Sequence, residues 1–275
     1  MGRAILSVLI IILSLNFSHA QKFSDGKMIT GLSLNYLNYR SFSQQKTNLK
    51  MHSGYPVLIS NIPAASFHLH FNKSKSSHNI DWRINLPAGL TSDNGTGMNF
   101  LLNEDKSNYF RSSLGYRLTW PLLNFSWLEL RHGFVTGLQF EKRKLTYLSG
   151  SIEKTTDINA YLGPALKAEI PVNRNIGFFG NFDGQFYLPY LNYGKIKSYN
   201  YLGSLTYSDH YFGFYYQARF IAGLNFFLEN TRKISLGIEK NDIVGFAGPS
   251  PSFKAENIIH YKLDRLLGIF LSVTF

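Results

Sequence analysis

The sequence predicts an all-β chain, a single antiparallel up-and-down barrel of about ten strands that spans a membrane. Three observations predict it. After residue 20 the side-chain period is two almost everywhere, the apolar face of each segment carries almost no charge, and the joins alternate between long and short.

The period comes first. In 175–188 the positions Ile176, Phe178, Gly180, Phe182, Gly184, Phe186 and Leu188 oppose Asn181, Asp183 and Gln185. In 212–228 Phe212, Phe214, Tyr216, Ala218, Phe220, Ala222, Leu224, Phe226 and Leu228 oppose Gln217, Arg219 and Asn225. Successive side chains of a strand point to opposite faces, whereas a helical period near 3.6 would scatter these residues. The same alternation runs through 65–72, 79–88, 109–120 and 157–170, and more weakly through 28–42, 127–141 and 233–241. The segment 255–275 has no Gly or Asn at Asp264-Arg265 to make a tight turn. Ile259, Tyr261, Leu263, Leu267, Ile269, Leu271, Val273 and Phe275 keep one parity, so it reads as one strand.

Ten strands follow, with both ends on one side. The long joins are 43–56, 89–108, 142–156, 189–211 and 242–254, and the short ones centre on 74–77, 121–126, 171–174 and 229–232. Twelve strands are the alternative if 195–207 or 97–103 adds to the wall. Pro164 falls in mid-strand and should mark a bulge or a distortion, because it removes a ladder hydrogen bond. His132 shares the apolar parity of Leu130 and Phe134, which places it near a membrane interface or signals a slip of phase.

Alternation alone does not say which face is inside. A soluble barrel would bury the apolar face. The inverted arrangement is favoured by the uncharged apolar faces, by aromatics near strand ends (Trp82, Trp120, Tyr187, Phe226), and by the terminal Phe275. Here the chain resembles bacterial outer-membrane β-barrel proteins. In that group an aromatic last residue on an alternating strand, here Leu271, Val273 and Phe275, belongs to the signal read by the barrel-assembly machinery. The resemblance covers residues 21–275 and implies an architecture, an outer-membrane location and that assembly partner, but no activity. The Asn-, Lys- and aromatic-rich composition resembles barrels of Bacteroidota.

The first twenty residues read as a secretory signal peptide. Arg3 precedes an apolar run from Ala4 to Leu15, and Ser18-His19-Ala20 sets cleavage between Ala20 and Gln21. The run is shorter than the roughly 20 residues a spanning helix needs. Residues 21–275 then form one barrel domain. Moderate hydropathy with 16% aromatic residues is what half-lipid, half-lumen strands produce. Cysteine is absent, which excludes thiol nucleophiles, Cys-based zinc sites and disulfides. The net charge of +11 suits anionic lipid head groups; an exported chain gives nucleic acid little role as a partner. Oligomeric state is not legible.

Three places could carry chemistry. The polar faces hold Arg83, Arg111, Arg117, Arg131, Lys167 and Arg219 against Asp81, Glu129, Glu141, Glu169, Asp183 and Glu239, with Lys262 and Asp264 adding one of each. Buried charges need partners, so a balanced set reads as a charge network plugging a small lumen; a narrow conduit is the rival reading. His68 and His70 share the lumen parity. With Asp81 or Asp183 they could hold a metal or act as a base, though hydrogen-bonded lumen histidines are the simpler reading. The sequence assigns no metal and no cofactor. Neither the Ser-His pattern of phospholipase and lipid A deacylase barrels nor the acidic-plus-His pattern of omptins is present. Finally, Lys142-Arg143-Lys144 with Lys46, Lys50, Lys106, Lys195, Lys197 and Lys254 could meet lipopolysaccharide phosphates at the outer rim. Asp93-Asn94-Gly95 is a tight turn, too short for a calcium site. The leading expectation is a non-enzymatic outer-membrane barrel with a structural, surface-interaction or restricted-transport role. The rival is a membrane-embedded hydrolase acting on lipid or peptide at the rim, with His68 or His70 as base.

Overall fold

Ten antiparallel strands close on themselves in the computed structural model. It describes residues 28–46, 51–52, 57–73, 75–93, 102–148, 150, 152–187, 193–199, 213–228, 232–247 and 259–275. The wall strands are β1 (Met28–Lys46), β2 (Val57–Lys73), β3 (Ser76–Asn85), β4 (Asn108–Phe125) and β5 (Leu128–Thr146), followed by β6 (Ile152–Pro171), β7 (Ile176–Tyr187), β8 (Gly213–Phe227), β9 (Lys233–Ala247) and β10 (Ile259–Thr274). Each pairs with the next in sequence. β10 returns to β1 over a register from Gly31↔Thr274 to Lys46↔Ile259, so the wall has no free edge. The 259–275 segment is a single strand, as its unbroken parity predicts. The signal-peptide residues, Lys50 and Lys254 lie outside the described residues, as does the whole of 94–101.

The faces are inverted relative to a soluble barrel. Leu34, Trp82, Leu114, Leu138, Leu162, Phe178, Phe220, Ile238, Ile269 and Leu271 stand exposed on the outside. Asn35, Arg111, Arg117, Gln139, Asp183, Gln217, Asn225 and Glu239 are buried inside. In water such a surface would be an aggregation hazard; in a bilayer it is the lipid-facing wall. The closed wall satisfies the backbone hydrogen bonds that hydrocarbon cannot. This is a membrane-spanning barrel of the outer-membrane kind. By the rule that periplasmic turns are short, the end holding the 126–127 and 172–175 turns faces the periplasm.

Several local expectations are refined. Tyr193–Tyr199 pairs only with the outer end of β6, from Tyr193↔Ile158 to Tyr199↔Ile152. It takes over where β7 stops at Tyr187↔Tyr161, so it lengthens the wall without adding to the strand count. Residues 97–101 lie outside the described residues, and Leu102 makes only an isolated bridge to Tyr147. Pro164 makes no bulge. The β6–β7 register resumes unchanged at Phe186↔Leu162 after Asp183↔Ala165, and the ladder is simply interrupted between them. The register shift falls instead between Pro121 and Leu123, inside a stretch the sequence assigned to a turn. His132 is exposed on the outer face with its ring 6.2 Å from Trp120, four residues from the start of β5, so the phase does not slip. Tyr187 is not part of an outer aromatic girdle: it is buried and points into the lumen, stacked edge-on against Tyr161.

The barrel's apolar core lies inside its outer end. Leu37 and Tyr39 of β1, Leu58, Ile62 and Ala64 of β2, Tyr109 of β4, Leu145 of β5, Ile243 of β9 and Leu266 of β10 pack with Ala88, Leu90 and Leu102 from the join between β3 and β4. The Tyr39 and Tyr109 rings stack at 4.6 Å. Ala88, Leu90 and Leu102, from the described ends of the long join, complete a plug.

Candidate functional site

Below the plug the lumen is lined by charges paired between strands, some adjacent and some across the barrel. Glu239 of β9 is 1% exposed and is reached by three donors: Arg83 of β3, Arg219 Nε of β8 at 3.0 Å, and Asn35 Nδ2 of β1 at 2.7 Å. Arg117 of β4 pairs with Asp183 of β7 through Nε at 2.9 Å and through a second contact from its terminal nitrogen, a two-point clamp. Arg111 donates to Gln139 Oε1 at 2.5 Å and Gln217 Oε1 at 2.9 Å, and the Tyr187 hydroxyl donates to Gln139 Oε1 at 2.6 Å. Each fork of donors meets a carbonyl or carboxylate, the arrangement that makes ions bearable in a low-dielectric interior. Within this layer the free space amounts to about 40 Å³, little more than a water or two.

Not every polar-face charge joins the central layer. Arg131 pairs with Glu129 (2.5 Å) and Lys167 with Glu169 (3.1 Å), each within its own strand near the periplasmic mouth. Asp264 lies near the plug, fully buried, accepting from Ser41 Oγ at 2.5 Å. Glu141 is buried at the outer end.

Between the charged layer and the periplasmic mouth the lumen widens into a cavity of about 320 Å³. Polar residues including Ser33, Asn79 and Asn181 line it, together with the apolar side chains of Phe179, Ile221 and Phe270. His68 and His70 face this periplasmic half. Both lie far from the outer rim, toward the periplasmic mouth. His68 lies opposite Asp81 in the β2–β3 register, and its Nδ1 contacts Asp81 Oδ1. Its Nε2 lies 2.8 Å from Ser33 Oγ of β1. Asn79 Nδ2 donates to both oxygens of Asp81, at 2.9 and 3.0 Å. Ser33 escapes sequence reading because a lone serine in a strand has no motif; only the diagonal register between β1 and β2 brings it to His68. Among the described residues no group of three or more His, Asp or Glu is arranged to hold a metal ion.

At the outer strand ends basic residues stand on the lipid side. Arg40, Lys142, Lys154, Lys240 and Arg265 are exposed there, with Asp242 among them, 3.0 Å from Lys240. Lys106 is exposed in the short 3-10 turn Glu104–Lys106. Arg143 instead takes the inward parity, with Tyr109 opposite.

No family model matches the chain, and no curated protein matches it. Solved structures do. The outer membrane protease OmpT from Escherichia coli superposes with a TM-score of 0.53 at 11% identity, over 94% of this chain and 100% of that one. The toluene transporter TbuX of Ralstonia pickettii gives 0.40 at 7% identity, over 92% and 90%. The attachment invasion locus protein Ail of Yersinia pestis gives 0.25 at 12% identity, over 89% and 97%. At these identities the OmpT likeness establishes the fold, that of a bacterial outer-membrane barrel, and nothing of activity.

Proposed function

We propose that this chain is a non-conducting outer-membrane barrel that works at the cell surface, holding its long joins and a basic collar against the anionic outer leaflet. The observation that carries this is the plug. Leu37, Ile62, Leu90 and Tyr109 are all fully buried inside the outer end, above a layer of paired charges with almost no free volume. A solute path would need both layers to open, and ten strands leave little width for that. The collar of Arg40, Lys142, Lys154, Lys240 and Arg265 stands where lipopolysaccharide phosphates would lie. Phe275 supports a place for the barrel-assembly machinery in biogenesis, and the composition supports an origin in Bacteroidota.

A planar-bilayer recording of the refolded chain tests this. The expected result is no steady conductance. A large, weakly selective open conductance would overturn it, because the plug would then have to be absent from the membrane form.

A further inference from the structure

We propose that Ser33, His68 and Asp81 form a serine-hydrolase relay inside the periplasmic half of the lumen, acting on small acyl esters that enter from the periplasm. The activity is additional to the surface role and sits at the opposite end of the barrel.

Three adjacent strands build the relay. His68 on β2 faces Asp81 on β3 directly and Gly31 on β1 on its other side. With no side chain at Gly31, the imidazole has room to lean to the next inward position, Ser33. An ionised carboxylate only accepts hydrogen bonds, so Asp81 takes the Nδ1–H of the imidazole. In the tautomer this fixes, Nε2 is the nitrogen available to the Ser33 hydroxyl, 2.8 Å away. Nucleophile to base and base to orienting carboxylate is the sequence of contacts that activates a serine, recognised by geometry and not by fold. Asn79 holds both oxygens of Asp81, so the positioning carboxylate is itself fixed.

The surroundings fit the chemistry. All three residues border the 320 Å³ cavity, which has room for a short acyl group and a small leaving alcohol. Phe179, Phe270 and Ile221 offer apolar surface to the acyl chain, the two rings meeting edge-on at 5.9 Å. Arg117 and Arg219 border the same cavity, each held in place by its carboxylate partner, Asp183 or Glu239. In the first step Ser33 Oγ bonds to the acyl carbon while its proton passes to His68 Nε2 and on to the departing alkoxide, as the ester C–O bond breaks. In the second, water gives a proton to His68 and its oxygen to the acyl carbon. The Ser33–acyl bond breaks and Ser33 Oγ recovers the proton.

The test uses the full chain, refolded, with a fluorophosphonate probe and with p-nitrophenyl butyrate. The expected result is a covalent adduct that peptide mass spectrometry maps to Ser33, lost on prior heat unfolding. Ser33→Ala should abolish both labelling and ester turnover. His68→Asn should slow both by about 10²–10⁴-fold. Asp81→Asn should slow them as well, and Asp81→Glu should restore part of the rate, which a merely structural carboxylate would not do. Heat-modifiable gel migration confirms that each variant is folded. No adduct on the folded wild-type chain, or an adduct at another residue, would overturn the proposal without any variant being needed.

Discussion

The outer and periplasmic halves of the lumen are made by the same ten strands and have opposite chemistry. On β1 the inward positions run Ser33, Asn35, Leu37, Tyr39, from cavity wall to plug. On β2 they run the other way along the chain, from Ile62 and Ala64 in the plug to Ser66 and His68 below it. The outer half is closed mainly by apolar side chains that fill space, with a few buried polar groups such as Asp264 and Glu141 beside them. The middle is closed by ions that each require a partner on another strand, and the periplasmic half is left partly open. The difference shows that alternation specifies a strand and its two faces, while the content of the inward face is set separately, layer by layer.

The largest expected effect breaks the charged layer. Glu239→Leu leaves Arg83 and Arg219 facing each other without their carboxylate and removes the acceptor of Asn35. Removing one partner of a buried ion network costs about 3–5 kcal/mol. Denaturant unfolding of the refolded barrel in detergent measures it. A loss below about 1 kcal/mol would mean that water reaches this layer and screens the arginines.

A matched pair of truncations sharpens the contrast next. Ile62 is fully buried in the plug, whereas Ile221 borders the periplasmic cavity. Ile62→Ala should cost about 2–5 kcal/mol, since the packed neighbours collapse only in part. Ile221→Ala should cost clearly less in the same assay, because its side chain already faces open space. Equal losses would show that the two halves are packed alike.

A smaller effect is expected at the barrel seam. Phe275 exchanges two backbone hydrogen bonds with Thr30, at 2.8 and 3.3 Å. Deleting it should lower the equilibrium stability by about 1–3 kcal/mol, the worth of those bonds. The yield of folded barrel in the outer membrane should fall further than that loss explains, since the terminal aromatic would also serve recognition during assembly. Unchanged yield in a cell fractionation would remove Phe275 from the assembly signal.

Much of the wall was legible in the sequence and little of the lumen's content was. The strands showed because lipid and lumen impose opposite demands on alternate residues. The join 89–108 reads as a loop because Leu90 and Leu102 belong to no alternating run. In 57–64 the inward face mixes Leu58, Ile62 and Ala64 with Ser60 and the outer face holds Asn61 and Pro63, so the alternation is clear only from Ala65, although the strand starts at Val57. The charges could be counted but not paired: Arg83 and Glu239 are 156 residues apart and Asn35 and Glu239 are 204 apart, distances that only closure of the barrel brings to contact. Ser33 carried no signal at all until register placed it beside His68.

The smallest effect is expected outside the lumen, at His132. Its ring is exposed on the lipid side beside Trp120 and Phe134, close to the periplasmic boundary, and no charged partner for it is seen among the described residues. An interfacial site tolerates both an imidazole and an aromatic hydrocarbon, because its depth gives access to head groups on one side and acyl chains on the other. His132→Phe should therefore change stability by no more than about 0.5 kcal/mol, as surface replacements away from packed or paired sites do. The same unfolding assay decides it, run beside Glu239→Leu so that detergent and refolding conditions are shared. A loss of 2 kcal/mol or more, on the order of a buried polar deletion, would place His132 in a polar contact and move the membrane boundary on this side of the barrel.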